Sequence, residues 1–405
     1  MNCGLLGRHL THSYSPQIHR QLGNYRYDLL EVEPDKLAGF LQKKDFDGLN
    51  VTIPYKKEVI GYCDDLSPQA ALLGAVNTIV KTADGRLIGH NTDYFGFAAM
   101  LTASGLSVAG KKVLVLGSGG ASATVTAVLN GNHAKVVVIS RHGENHYGNL
   151  HLHSDASVIV NCTPVGMYPD NGASPVDLSL FPNLEGVLDL IYNPARTALL
   201  LDAERRGIIS RNGLYMLVAQ AKESAEWFTG RKIPDDRIRE IYEKLKADME
   251  NIVLIGMPGC GKSTVGRLLS KTLNREFIDT DRLIVEKTGI SIPEIFASIG
   301  EKGFRRLETE VLTDTSKQSG VIIATGGGCV TRPENYPLLH QNSKIVWLKR
   351  DISLLPTDGR PLSQAQRIDA MYQVRAPLYE AFADIIIDND TTPEAAVNSI
   401  LGGQK

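Results

Sequence analysis

Gly256 to Ser263 reads GMPGCGKS, the pattern G-x-x-x-x-G-K-[ST]. Glycines there let backbone N–H groups crowd around phosphate oxygens, the lysine reaches the terminal phosphates, and the hydroxyl after it serves Mg²⁺. The chemistry-bearing positions are Gly259, Gly261, Lys262, Ser263 and Thr264, preceded by an apolar strand, NIVLI, and followed by a helix start, TVGRLL. A second phosphate-type turn, GSGGAS, follows KKVLVL and opens a helix, with Gly117, Gly119, Gly120 and Ala121 in the turn and Ser122 in the third small-residue place. The next strand, KVVVIS, runs out at Ser140, Arg141 and His142, where a dinucleotide site for NAD carries an acidic residue. An arginine at that place suits the 2′-phosphate of NADP, unless it is simply a surface residue.

Other polar residues stand at the ends of short apolar runs. Ser13 and Ser15 come just before a helix begun by Pro16, where two hydroxyls suit either a bound carboxylate or plain N-capping. Thr52 and Lys56 follow the strand FDGLNV, and Asn77, Asn91 and Asp93 end two further runs. A lone lysine after a strand is ordinarily a solvated charge, but polar residues at strand ends also converge on pockets. Asp279 and Asp281 close REFIDTD, which reads as a strand ending in both carboxylates.

These residues must be positioned by more than one core. A P-loop strand opens a nucleotide-binding fold, yet this one begins at Asn251, so a complete unit stands in front of it. At 405 residues the chain has room for two or three domains. Strands and helices alternate through the first hundred residues, SVIVN and GVLDL read as two further parallel strands, and NGLYMLVAQAKESAEWF as a helix carrying Met216 and Gln220 at i and i+4. PDDRIREIYEKLKAD is amphipathic, with Ile238, Ile241 and Leu245 on one stripe, and leaves almost no linker before the P-loop strand. Apolar residues at 43%, charged residues at 22% and a net charge of −2, without a basic run, point away from nucleic-acid binding. No apolar run is long enough to span a membrane and the N-terminus lacks a signal-like pattern, so a cytoplasmic protein is expected. Five cysteines, far apart and without a C-x-x-C pair, fit reduced thiols.

Residues 1 to about 248 resemble shikimate dehydrogenase, on HSYSP, NVTIPYK, AVNT, NTD, GSGGAS, NCTPVGM and GLYMLVAQA in order. The resemblance implies that Ser13, Ser15 and Thr52 hold the substrate carboxylate and ring hydroxyls, that Asn77, Tyr192 and Gln220 complete the pocket, and that Lys56 and Asp93 are the catalytic pair. A lysine held by an aspartate suits the proton needed when hydride delivery turns a ketone into an alkoxide. By the same resemblance, Gly117, Gly119, Gly120 and Ala121 meet the pyrophosphate, Arg141 the 2′-phosphate, and Gly213 and Met216 the nicotinamide end. Ser140-Arg141-His142 stands where the family commonly has Asn-Arg-Thr, and the short stretch from Ser140 to Asn161 implies a trimmed helix and strand in the cofactor domain. An NAD-linked or quinate-type dehydrogenase is the alternative.

Residues 251 to 405 resemble shikimate kinase, on the P-loop, IDTD, EKGFRRLE, ATGGG, DGRPL and RAPLYEAFAD. The resemblance implies that Arg305 and Arg375 grip the shikimate carboxylate, that Gly327, within a triple glycine, lets backbone approach the ring, and that Asp281 orients or deprotonates the attacking hydroxyl. Asp279 and Ser263 serve Mg²⁺, and Arg360 is the lid arginine facing the phosphates. The run WLKRDISLLPTDGR is shorter than usual for the family, which leaves an ATP-binding regulatory module as the alternative.

The expected architecture is α/β throughout. Residues 1–103, completed by 214–248, form a substrate domain, 104–213 a Rossmann-like NADP domain, and 251–405 a P-loop domain like the nucleoside-monophosphate kinases. The expected activity is reduction of 3-dehydroshikimate to shikimate followed by 3-phosphorylation of shikimate, with NADP(H), ATP and Mg²⁺. The expected partners are small molecules, with no nucleic acid and no membrane, in a monomer or homodimer.

Overall fold

The computed structural model describes residues 1–10, 13–355 and 368–402. It divides into two compact units, one of residues 1–192 and 199–245, the other of 193–198 and 246–405. Arg360 lies outside the described residues.

The first unit holds two sheets. One runs β2 (Arg26–Glu31), β1 (Asn2–Gly7), β3 (Gly48–Val51), β5 (Thr78–Lys81), β6 (Leu87–His90), β4 (Asp65–Leu66). β1 pairs parallel with β2 and β3, whereas β3–β5 and β5–β6 are antiparallel. The antiparallel step matters because it sets Asn50 of β3 opposite Thr78 of β5. β3 is buried along its whole length, as expected of a strand covered on both faces. The second sheet is wholly parallel, in the order β11 (Ile209–Arg211), β10 (Gly186–Asp189), β9 (Val158–Asn161), β7 (Lys112–Leu116), β8 (Lys135–Ile139). Between β8 and β9 the chain has only a seven-residue 3₁₀ helix, Tyr147–His153, so the short 140–161 stretch spans the crossover without a full α-helix. Helix Leu214–Thr229 packs on helix Asp93–Ser104, closely enough that a Cβ on Gly96 would stand 2.8 Å from the Met216 carbonyl oxygen. Ile238, Ile241 and Leu245 are buried on helix Asp236–Met249.

The second unit is a parallel sheet in the order β13 (Phe277–Asp279), β14 (Ile322–Ala324), β12 (Asn251–Ile255), β15 (Ser343–Lys349), β16 (Ile385–Asp388). The central strand β12 is fully buried and hands the chain to the glycine-rich turn and helix Lys262–Leu273. β13 ends at Asp279, which caps helix Thr280–Thr288 by accepting from the Arg282 N–H, so Asp281 sits in the first helical turn and not at the strand end expected from the sequence. All five cysteines are free. Among the described residues no helix is long and apolar enough to cross a membrane, and no His/Cys/Asp/Glu cluster has a metal-holding arrangement.

Candidate active sites

In the first unit a cavity of about 260 Å³ opens over the carboxyl ends of β1 and β3. Ser13, Ser15, Thr52, Lys56, Asn77, Asp93, Tyr192, Gly213, Met216 and Gln220 all line it, so residues spread over two hundred positions meet in one place. Lys56 Nζ lies 2.6 Å from Asp93 Oδ2, with the lysine side chain one-third exposed and the aspartate 20% exposed. That is a charge-assisted bond at the short end of the range, and it leaves Lys56 two further N–H donors. Asn91 does not join the pocket and instead donates to the Ala75 carbonyl (2.9 Å).

Beneath the cavity a buried polar network fixes which atoms face it. Tyr27 O–H donates to Asn50 Oδ1 (2.7 Å), so the Asn50 amide nitrogen donates the other way, to Ser224 Oγ (2.7 Å) and Thr78 Oγ1 (3.0 Å). Ser224 in turn donates to the Gln220 carbonyl (2.9 Å). Asn77 Oδ1 accepts the Thr92 N–H (2.7 Å), while its Nδ2 donates to Thr92 Oγ1 (3.1 Å), which leaves its second N–H for the pocket.

The glycine turn of the second sheet begins at the half-buried Gly117 and is exposed from Ser118 to Gly120, at the start of helix Gly120–Gly131, and Cβ atoms on Gly119 or Gly120 would meet nothing within 4 Å. Open N–H groups at the head of a twelve-residue helix fit a pyrophosphate, and the exposed Ala121 follows in its first turn. Arg141 is exposed beyond the end of β8, in a loop closed by a bond from the Ser140 N–H to the Asn145 carbonyl (3.2 Å).

In the second unit a cavity of about 660 Å³ is lined by Gly259, Gly261, Lys262, Ser263, Thr264, Asp279, Asp281, Arg305, Gly327 and Arg375. Gly261 starts the helix at φ +99°, which only glycine takes easily. Lys262 is folded onto its own loop, donating to the Gly256 (2.8 Å) and Met257 (3.0 Å) carbonyls. Ser263 Oγ donates to Asp279 Oδ2 at 2.7 Å, a hydroxyl and a carboxylate side by side, which is the hard oxygen donor set that suits Mg²⁺.

Arg305 binds Glu308 at 2.8 Å and Glu301 at 3.3 Å, and Arg375 donates to the Gly327 carbonyl at 3.1 Å. Each guanidinium keeps further N–H groups for a carboxylate. Asp281 Oδ1 and Glu308 Oε1 are buried and have no hydrogen-bond partner among the described residues. Burial pushes both carboxyls above their ordinary range, while Lys262 for Asp281 and Arg305 for Glu308 pull the other way. Both oxygens converge on Gly326, where an added Cβ would stand 2.3 Å from Glu308 Oε1 and 2.8 Å from Asp281 Oδ1. A side chain there would have to push both carboxylates aside.

Three family models match. They describe the shikimate dehydrogenase substrate binding domain over residues 5–79, the shikimate 5'-dehydrogenase C-terminal domain over 213–241, and shikimate kinase over 258–402. A shikimate dehydrogenase (NADP(+)) of Clostridium perfringens is 35% identical over 265 residues, covering 60% of this chain and 97% of the relative. The chain belongs to the shikimate dehydrogenase family. Among solved structures, shikimate 5-dehydrogenase of Thermus thermophilus, in complex with NADP(H) and shikimate, is 31% identical with a TM-score of 0.55, covering 60% of this chain and 98% of that one. Quinate dehydrogenase of Corynebacterium glutamicum, in complex with NAD, is 28% identical with a TM-score of 0.54, covering 60% and 98%. With a shikimate kinase domain behind its dehydrogenase part, the chain is a bifunctional shikimate-pathway enzyme, oxidoreductase and phosphotransferase in one polypeptide.

Sequence reasoning missed several members of the two sites. Asn50, Thr78, Thr92 and Ser224 carry the buried network; Asn50 and Thr78 are signalled locally as polar residues inside apolar runs, whereas Thr92 and Ser224 stand among polar neighbours. Glu308 lies three residues after Arg305, the spacing of one helical turn, which was a readable signal for a carboxylate partner. Tyr379 donates to the Gly327 carbonyl and is wholly buried, a role that nothing in RAPLYEAF announces.

Proposed function

We propose that the first unit reduces 3-dehydroshikimate to shikimate with NADPH and that the second phosphorylates the 3-hydroxyl of shikimate with MgATP. The observation that carries the first half is the Lys56–Asp93 pair, 2.6 Å apart in a pocket otherwise lined by hydroxyls and amides. Ser13, Ser15 and Thr52 bind the carboxylate and ring hydroxyls, with Asn77, Tyr192 and Gln220 around the ring. Lys56 gives its proton to the oxygen of the ketone, and Asp93 holds the ammonium in line and offsets its charge. NADPH supplies the hydride. Gly117, Gly119, Gly120 and Ala121 would hold its pyrophosphate, Arg141 its 2′-phosphate, and Gly213 and Met216 its nicotinamide end.

In the second unit Lys262, Gly259, Gly261 and Thr264 would hold the nucleotide phosphates, with Ser263 and Asp279 as the ligands of Mg²⁺, which would neutralise phosphate charge. Arg305 and Arg375 fix the shikimate carboxylate, Gly327 closes on the ring, and Asp281 takes the proton of the attacking hydroxyl or orients it. In-line positioning and charge neutralisation are most of what phosphoryl transfer asks of a protein. Small-molecule substrates and a cytoplasmic location belong to the same proposal.

The test is a one-pot reaction of the purified chain with 3-dehydroshikimate, NADPH, ATP and Mg²⁺, followed by mass spectrometry, with ATP left out of a parallel tube. Shikimate 3-phosphate with ATP, and shikimate alone without it, is the expected result. Accumulation of shikimate in both tubes reduces the second unit to a nucleotide-binding module. Parallel rates with NAD⁺ against NADP⁺, and quinate against shikimate, separate the proposed dehydrogenase from a quinate-type one.

A further inference from the structure

We propose that Arg350 is a nucleotide-binding residue that contacts the phosphate chain of the nucleoside triphosphate at its nucleoside-proximal end. The inference rests on the ATP-dependent reading of the second unit and adds a residue to it.

The sheet order β13-β14-β12-β15-β16 sets the direction of the ligand. In a parallel α/β sheet ligands lie across the carboxyl ends of the strands. The groups for the phosphoryl acceptor gather past β13 and β14: Asp281, the Gly326–Gly328 loop, Arg305 on the helix that leads into β14, and Arg375, which comes from the helix after β15 but donates to the Gly327 carbonyl at 3.1 Å. The transferred phosphate therefore points toward that side of β12. The rest of the nucleotide runs the other way across the P-loop, toward the ends of β15 and β16.

Two residues wait there. Asn389, just beyond β16 and buried, donates its Nδ2 to the Cys260 carbonyl at 2.6 Å, pinning the outer limb of the P-loop. Arg350, just beyond β15, has its Nη1 3.9 Å from where a Cβ on Gly261 would stand, the same point that Asn389 Nδ2 approaches to 2.7 Å. The guanidinium thus borders the loop whose N–H groups face phosphate.

Arg350 has no counter-charge of its own. Among the described residues it makes no hydrogen bond or ion pair, and its Nε is buried without an acceptor. Its acidic neighbours are engaged elsewhere. Asp351 accepts from Ser353 N–H (2.8 Å) and Oγ–H (2.6 Å), and Asp390 accepts from the Asp351 N–H (2.7 Å). An arginine kept only for solubility would keep its Nε in water, because a buried donor without an acceptor costs about 1–3 kcal/mol. A planar fork of free N–H groups beside a phosphate cradle matches the chemistry of a phosphate oxygen.

The test is calorimetric titration of ADP into the full chain and into Arg350→Ala and Arg350→Lys. Expected are about tenfold weaker ADP binding in Arg350→Ala and an intermediate affinity in Arg350→Lys, which restores the charge without the fork. The KM for shikimate in the kinase reaction and the dehydrogenase rate should stay within about twofold, which also reports folding of both units. Unchanged ADP affinity in Arg350→Ala overturns the proposal, as does an Arg350→Lys affinity no better than that of Arg350→Ala. If the wild-type chain fails to bind ADP, the kinase reading itself falls, and this assignment falls with it.

Discussion

At the scale of single residues, the dehydrogenase pocket depends on hydroxyls that never line it. Ser224 accepts from Asn50 and donates to the Gln220 carbonyl, so it joins helix Leu214–Thr229 to β3 at the level of the pocket. Thr78 Oγ1 and Thr92 Oγ1 each stand 3.1 Å from Ser224 Oγ as well. Replacing Ser224 by alanine removes an acceptor of one pocket amide, Asn50, and the bond to the Gln220 carbonyl, without touching Lys56 or Asp93. The expected outcome for Ser224→Ala is a KM for shikimate raised about tenfold, equivalent to about 1.4 kcal/mol, with the KM for NADP⁺ and kcat little changed. Steady-state kinetics with each substrate varied in turn reads this, and Ser224→Thr should recover most of the loss. A fall in kcat with an unchanged KM would mean that the serine only supports the fold.

At the scale of elements, the strands were legible because apolar runs in an α/β chain are punctuated by glycine and polar residues, and both phosphate-type turns announced themselves by spacing. The antiparallel pairing of β3, β5 and β6 was not legible, since short buried strands carry no mark of direction, and it is this pairing that brings Asn50 to Thr78. Asp281 was misplaced by one element because capping by Asp279 begins the helix earlier than IDTD suggests. Helix Ser15–Leu22 hides a further feature that no pattern reveals. His19 is buried, bonded through Nδ1 to the Tyr25 hydroxyl (2.6 Å) and stacked on Tyr27 at 3.9 Å. Desolvation pulls its pKa down from 6.5 to about 3. The folded form thus binds fewer protons than the unfolded chain between those values. Stability from keeping His19 neutral is complete above pH 6.5 and is lost as pH falls toward 3, at up to ~1.4 kcal/mol per pH unit. Between pH 7 and pH 5 the first unit should lose about 2 kcal/mol from this residue, measured as a fall in urea midpoint at constant m. His19→Phe should flatten that slope. An unchanged slope would show that His19 is not the group responsible.

At the scale of the whole molecule, the proposed function gives each activity its own lysine in its own unit. Lys56 is paired with Asp93 in the first, and Lys262 sits on its P-loop carbonyls in the second. The fusion has a chemical rationale, because the product of one reaction is the substrate of the next. Covalent linkage by itself, however, raises transfer between sites only where geometry favours it. The two chemistries should therefore be separable by mutation. Lys56→Ala removes the proposed proton donor and leaves Asp93 without its partner, so ketone reduction should fall by about 10²–10⁴ while shikimate phosphorylation stays within about twofold. Lys262→Ala removes the cation proposed to reach the terminal phosphates, so phosphorylation should be lost while the dehydrogenase rate is unchanged. Both variants are to be assayed on the full chain, shikimate oxidation with NADP⁺ in one cuvette and ATP-dependent phosphorylation in another, with thermal unfolding to show that each is folded. A folded variant in which one lysine silences both reactions would mean that the two chemistries share a centre, and the assignment of one site to each unit would be wrong.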